Sequence, residues 1–252
     1  MKKSILRLGI AIIIFKVLVM SINLFIENMA FFLQDQYNIS IDENLHIYLT
    51  LFSCTSFFIG FPVYTFLMRY KNEKPLPTER AKVSTQYLII RLLVILSIWA
   101  ILAVLLPPAD VMSFRSIVDT LVFTVILYPI MEEVMWRELL FPEFGELGKN
   151  KFVAITTIGW AFLMHNMPIN MMIALVAGFL LLGPLYYKTQ NIKLCIFFHS
   201  FINLFFGLIL SNTKLFFGYQ LFGISTMMII AIIIWVATIA YYFTTRNKPV
   251  AE

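Results

Sequence analysis

The sequence predicts an all-α, polytopic membrane protein of about eight transmembrane helices, with a polar cavity among the fourth, fifth and seventh. Three observations predict it. Apolar residues make up 60% of the 252 residues, and 25 residues are phenylalanine, more than a water-soluble domain of this length carries. Charged residues, 13% of the chain, gather in clusters between apolar runs, most of them near the length of about 20 residues that a helix needs to cross a bilayer. One of those runs nevertheless holds two adjacent carboxylates and an arginine, and two others hold histidines. The excess of Lys and Arg is read as topology information, and nothing in its distribution points to nucleic acid. Cys54 and Cys195 both fall in apolar runs without zinc-type spacing, so both are read as packing residues.

In chain order, Lys2, Lys3 and Arg7 accompany an apolar run over residues 5–26 that resembles a signal sequence. No small-x-small site follows, so the run reads as a retained anchor, with Lys16 near its middle snorkelling to the interface. Residues 27–44 carry Asp35, Asp42 and Glu43 and no basic residue, and are assigned outside. Residues 45–68 form the second span, with His46 at its outer end. A connection with Arg69, Lys71, Lys74, Arg80 and Lys82 around two prolines follows and is assigned to the cytoplasm. The third span, residues 87–106, stops at Pro107-Pro108. The fourth covers 117–141, where Pro129 should kink the helix and free a backbone carbonyl one turn earlier. After a polar turn at 142–151 come spans at 152–164, 169–187, 192–210 and 219–243. Strict alternation from a cytoplasmic N-terminus leaves only Arg115 and Lys214 as basic residues outside, and puts both termini inside. No repeat or soluble domain is evident, so residues 1–252 are read as one integral-membrane domain.

The fourth span is organised around the run from Pro129 to Phe141, which contains Glu132, Glu133 and Arg137. A charge at bilayer depth is unfavourable by about 3 kcal/mol even on a lenient scale, so these side chains need partners. Glu133 and Arg137 stand four residues apart, acid first, as an ion pair requires. Glu132 is turned by about 100° from Glu133 and should serve a different task. At about 1.5 Å per residue from the cytoplasmic helix ends, Glu132 lies about 14 Å in, His165 about 20 Å, His199 about 10 Å and Asn203 about 16 Å. They share one layer, and His199 and Asn203 share one helix face.

Such a set can activate water: an ionised Glu acts as general base while His and Asn donors hold a developing oxyanion. Two His and a Glu, here Glu132, His165 and His199, are also a donor set for zinc. The His-Glu-x-x-His helix of common zinc proteases is absent, however, and both alternatives stand at this point.

Three motifs together resemble the CAAX protease and bacteriocin-processing family of intramembrane endopeptidases, also called the Abi family. Glu132, Glu133 and Arg137 match its Glu-Glu-x-x-x-Arg, His165 its Phe-x-x-x-His, and His199 with Asn203 its His-x-x-x-Asn. The resemblance covers residues 117–210, taken as the catalytic core. Two positions depart from it: the family phenylalanine falls at Ala161, flanked by Trp160 and Phe162, and Glu138 stands where a glycine often follows the arginine. The resemblance implies that Glu132 activates water with His165 and that His199 and Asn203 support the oxyanion. It implies a peptide or membrane-protein substrate, in peptide maturation or bacteriocin self-immunity. It leaves metal dependence undivided between metalloprotease and glutamate protease.

Glu133 and Arg137 complete the expected site, and zinc is not expected to be required. Composition and short loops suggest a bacterial cell membrane. The competing readings are a non-catalytic immunity or sensor-binding membrane protein and, less favoured, a proton-coupled transporter, which would more usually show internal repeats. The topology is testable in a background lacking Cys54 and Cys195. A cysteine introduced at Lys74 should be shielded from an impermeant thiol reagent added to intact cells, and one at Gln36 should react; the reverse labelling would invert the protein.

Overall fold

The computed structural model describes residues 2–37, 56–69, 81–105, 114–165, 168–206, 232–241 and 244, and the elements among them are helical. Several sequence expectations fall outside these residues: positions 45–55 of the second span, Pro107-Pro108, positions 207–210, most of the eighth span, and His46, Lys71, Lys74, Arg80, Lys214, Arg246 and Lys248. Two helical stretches among the described residues, Lys3–Ile26 and Asn170–Thr189, are long and apolar enough to cross a membrane. Thr85–Ile98, Ile192–Phe206 and Ile232–Tyr241 are apolar but shorter.

Helix α1 (Lys2–Tyr37) contains the first apolar run and continues past it. Ala11, Phe15 and Val19, spaced four apart, form its buried stripe, while Ile13, Val17, Met20 and Leu24 are exposed on other faces. A helix apolar on its outer face suits lipid rather than water. The buried stripe meets α2 (Phe61–Arg69), where Phe15 packs edge-on against Tyr64 at 6.3 Å between ring centres. Helix α3 (Thr85–Leu105) matches the third expected span.

Helix α4 runs unbroken from Phe114 to Glu138. Two of its stretches, Thr120–Leu127 and Val134–Glu138, adopt the wider π register, in which an N–H bonds five residues back. Tyr128 N–H reaches the Phe123 carbonyl, and Leu139 N–H reaches that of Val134 at 3.0 Å. In that register an N–H at position 129 would serve Thr124, and Pro129 has none. The freed carbonyl expected from the sequence is therefore Thr124, and Asn203 closes the gap by donating its Nδ2 at 2.8 Å.

The fourth span was expected to reach Phe141, but α4 stops at Glu138. Leu139 and Leu140 form a turn, and Pro142 lies in the first turn of a short helix α5 (Phe141–Phe144), where its fixed φ is favourable. The expected polar turn at 142–151 is thus largely helical. It comprises α5, a tight turn at Gly145–Leu147, Gly148 at φ 88°, and the start of α6 (Lys149–Met164). Helix α7 is the continuous run Pro168–Ala177, Gly178–Leu182 and Gly183–Thr189. Helix α8 (Ile192–Asn203) begins where expected, with Asn191 Oδ1 accepting the Leu194 N–H at 3.2 Å as its cap.

These helices converge around α4. Phe141 lies edge-on to Phe152, Tyr186 and Tyr187 at 5.1, 5.6 and 5.7 Å, tying the end of α4 to α6 and α7. A Cβ on Gly178 would come within 2.5 Å of the Thr157 side chain, so glycine allows α7 to lie directly on α6. At one end of the bundle Arg7 pairs with Glu143 at 3.0 Å, Arg69 with Glu138 at 4.0 Å, and Ala81 N–H bonds the Lys188 carbonyl at 3.1 Å. The second turn of α1, the end of α2, the stretch after α4 and the α7–α8 connection therefore gather there.

Candidate active site

Glu133 is the most enclosed group of the site. Its carboxylate and the Arg137 guanidinium are both 0% exposed and lie 3.2 Å apart, one turn along α4. The same oxygen, Oε1, accepts a hydrogen bond from His199 Nδ1 at 2.8 Å. A carboxylate only accepts, so the imidazole carries its hydrogen on Nδ1, and Nε2 faces the other way. There it meets Glu132 Oε2 at 3.7 Å. Both glutamates thus converge on one ring, one at each nitrogen. Their 100° separation along the helix does not keep them from contacting the same ring, although only Glu133 pairs with Arg137. The imidazole inserts between them, and the three rotatable bonds of each glutamate take up the angular difference.

Glu132 differs from Glu133 in access. Its side chain keeps 10% exposure, so it is the carboxylate of the pair that a water or substrate can reach. Its Oε2 also accepts the indole N–H of Trp160 at 2.6 Å. Trp160, on α6 and 2% exposed, lies at the centre of the cluster. Arg137 stacks on its face with Cζ 4.3 Å from the ring centre, and His199 and His165 approach edge-on at 5.0 and 5.4 Å. Ala161, where the family phenylalanine would stand, is fully buried.

Of the sequence-derived candidates, Glu132, Glu133, Arg137 and His199 are brought together. His165 caps the C-terminal end of α6 in extended backbone, joins them through the Trp160 ring, and lies within electrostatic range of Glu132 and His199. Asn203 is directed to the α4 backbone, as described above. Two contributors were missed. Trp160 figured in the sequence only as a neighbour of a motif position. Lys16, read as snorkelling, is half-buried on α1 and interacts electrostatically with Glu132.

Among the described residues no three His, Cys, Asp or Glu side chains group as ligands of one ion, while His199 donates from Nδ1 to Glu133 and keeps Nε2 as its open ring nitrogen.

An ionisable cluster enclosed by apolar helices, with one carboxylate left partly exposed, is an arrangement able to carry out acid–base chemistry. The family is a specific one: residues 114–205, which hold α4 to α8, match the family model described as Rce1-like, type II CAAX prenyl endopeptidase Rce1-like. Over those residues the chain is similar to this family of integral-membrane proteases. No curated protein and no solved structure matches it.

The geometry makes Glu133 and Arg137 mutually dependent. Glu133→Ala should leave Arg137 buried without its counter-ion, and Arg137→Ala should do the same to Glu133. Each should lower stability by about 3 to 5 kcal/mol. Thermal unfolding of the purified variants in detergent checks this, and midpoints equal to wild type would remove the pair from the fold's foundations.

Proposed function

We propose that the protein is an intramembrane endopeptidase that hydrolyses a peptide bond in a membrane-associated peptide or protein through water activated by Glu132. The observation that carries this reading is the accessible Glu132 carboxylate held beside His199 within the stretch that matches a protease-family model. Glu132 takes the water proton, the resulting hydroxide attacks the scissile carbonyl, and the tetrahedral intermediate collapses with cleavage of the C–N bond as Glu132 returns that proton to the leaving amine. His165, on the other side of Trp160, assists the proton transfer. His199 lies where Nε2, in the imidazolium form, offers a proton to the tetrahedral oxygen, while Glu133 holds Nδ1 and fixes the ring. Asn203 has two amide hydrogens: one satisfies Thr124, and the second is the oxyanion donor. Arg137 balances the charge of Glu133 and so lets both carboxylates share one site.

The catalytic core is residues 117–210, within a single membrane domain of eight spans whose cavity opens among the fourth, fifth and seventh. Both termini are placed in the cytoplasm. The gathering of Arg7, Arg69, Glu143 and Lys188 at one end supports a common side for the basic connections. The substrate is a leader or signalling peptide in maturation, or a bacteriocin in self-immunity, rather than a prenylated protein.

In nanodiscs supplied with peptides extracted from bacterial membranes, wild type should generate new peptide termini detectable by mass spectrometry. Glu132→Ala should generate none while accumulating to wild-type levels; loss of accumulation instead would return the cluster to a structural role. We also propose that catalysis needs no tightly bound metal, with Glu132 acting as base and not as ligand. Cleavage should survive chelator treatment of protein shown by elemental analysis to be metal-free, and activity lost with chelation and restored by stoichiometric zinc would make Glu132, His165 and His199 ligands.

A further inference from the structure

We infer that Trp160 is the positioning residue of Glu132: its indole N–H fixes one carboxylate oxygen, leaving the other turned to the reacting water. This rests on the reading of Glu132 as the general base. A glutamate on a helix samples several rotamers, and its carboxylate turns freely about its last bond, so a base at the edge of a cavity needs an external hold. Glu133 is held by two cationic or donor groups, Arg137 and His199. Glu132 has His199 Nε2 only at 3.7 Å, beyond hydrogen-bond range. The short bond from Trp160 Nε1 to Oε2, at 2.6 Å, supplies the hold. With Oε2 taken, Oε1 is the atom that receives the proton from water.

Two features separate this contact from ordinary satisfaction of a buried indole. The bond is at the short end of the hydrogen-bond range, and Trp160 is the hydrogen-bond donor that Glu132 has among the described residues. The Trp160 ring is also shared: its face carries Arg137 and its surroundings hold both histidines, so one rigid side chain sets the spacing of the base, the two imidazoles and the guanidinium. A phenylalanine could fill that volume, but it could not hold the carboxylate.

The test removes the donor and keeps the ring. Trp160→Phe, and separately replacement of Trp160 by 3-benzothienylalanine, which puts sulfur in place of the N–H, should lower kcat on the membrane-peptide pool by about 10- to 100-fold with KM within about twofold of wild type. The second replacement keeps the indole shape and so stands if Trp160→Phe fails to fold. Independently of any substrate, the ultraviolet resonance Raman band that reports indole N–H hydrogen bonding, assigned to Trp160 by difference from Trp160→Phe, should move to its unbonded position in Glu132→Ala. Unchanged turnover in the benzothienyl protein, or a Trp160 band indifferent to Glu132→Ala, would overturn the inference. Absence of cleavage by wild type would instead overturn the general-base reading, and the Raman shift would still decide whether Trp160 holds Glu132.

Discussion

A carboxylate with no access to solvent, Glu133, is the constraint on which the structure depends. Enclosed among apolar helices, it would be untenable alone, and it is stabilised by Arg137 at 3.2 Å and His199 at 2.8 Å. The two contacts do different things. The first lies within α4 and neutralises charge, while the second crosses from α8 and orients an imidazole. Because the imidazole is fixed at Nδ1, its Nε2 has one direction left, and that direction is toward Glu132. The accessible carboxylate is thus placed by the inaccessible one. Trp160 then completes the enclosure from α6, so α4, α6 and α8 are locked together by polar contacts as well as by hydrocarbon.

Much of this was legible in the sequence, because free energy penalises an unpartnered charge in an apolar run and so leaves a signature. The Glu133–Arg137 pair follows from spacing alone, and so does the shared face of His199 and Asn203. The starts of α3 and α8 and the extent of α7 follow, within a few residues, from apolar length and from turn residues. What could not be read depended on side-chain reach. Helical angle separates Glu132 from Glu133, but only the imidazole between them shows that they serve the same ring. Lys16 reads from the sequence as snorkelling, whereas in the fold it is half-buried within electrostatic reach of Glu132. Trp160 carried one signal, an aromatic displaced by one place from a family position, and that signal did not disclose a hydrogen bond.

The missed boundary after α4 has a similar cause. Apolar residues continue to Phe141, so composition extends the helix. The backbone instead closes a wide turn at Val134–Glu138 and restarts at Pro142, whose ring is favourable in a first turn. The wide turn falls directly after the two glutamates, within the stretch that carries Arg137.

The amide of Asn203 against the Thr124 carbonyl has an evolutionary consequence. A proline at 129 and an amide donor at 203 form one unit, the second supplying the hydrogen that the first lacks. In a homologous chain with any other residue at 129, the backbone would supply its own N–H, and position 203 would be released from that duty to vary under the demands of chemistry alone. Covariation of these two positions, 74 residues apart in sequence, would therefore record a backbone debt and not a shared contact with substrate.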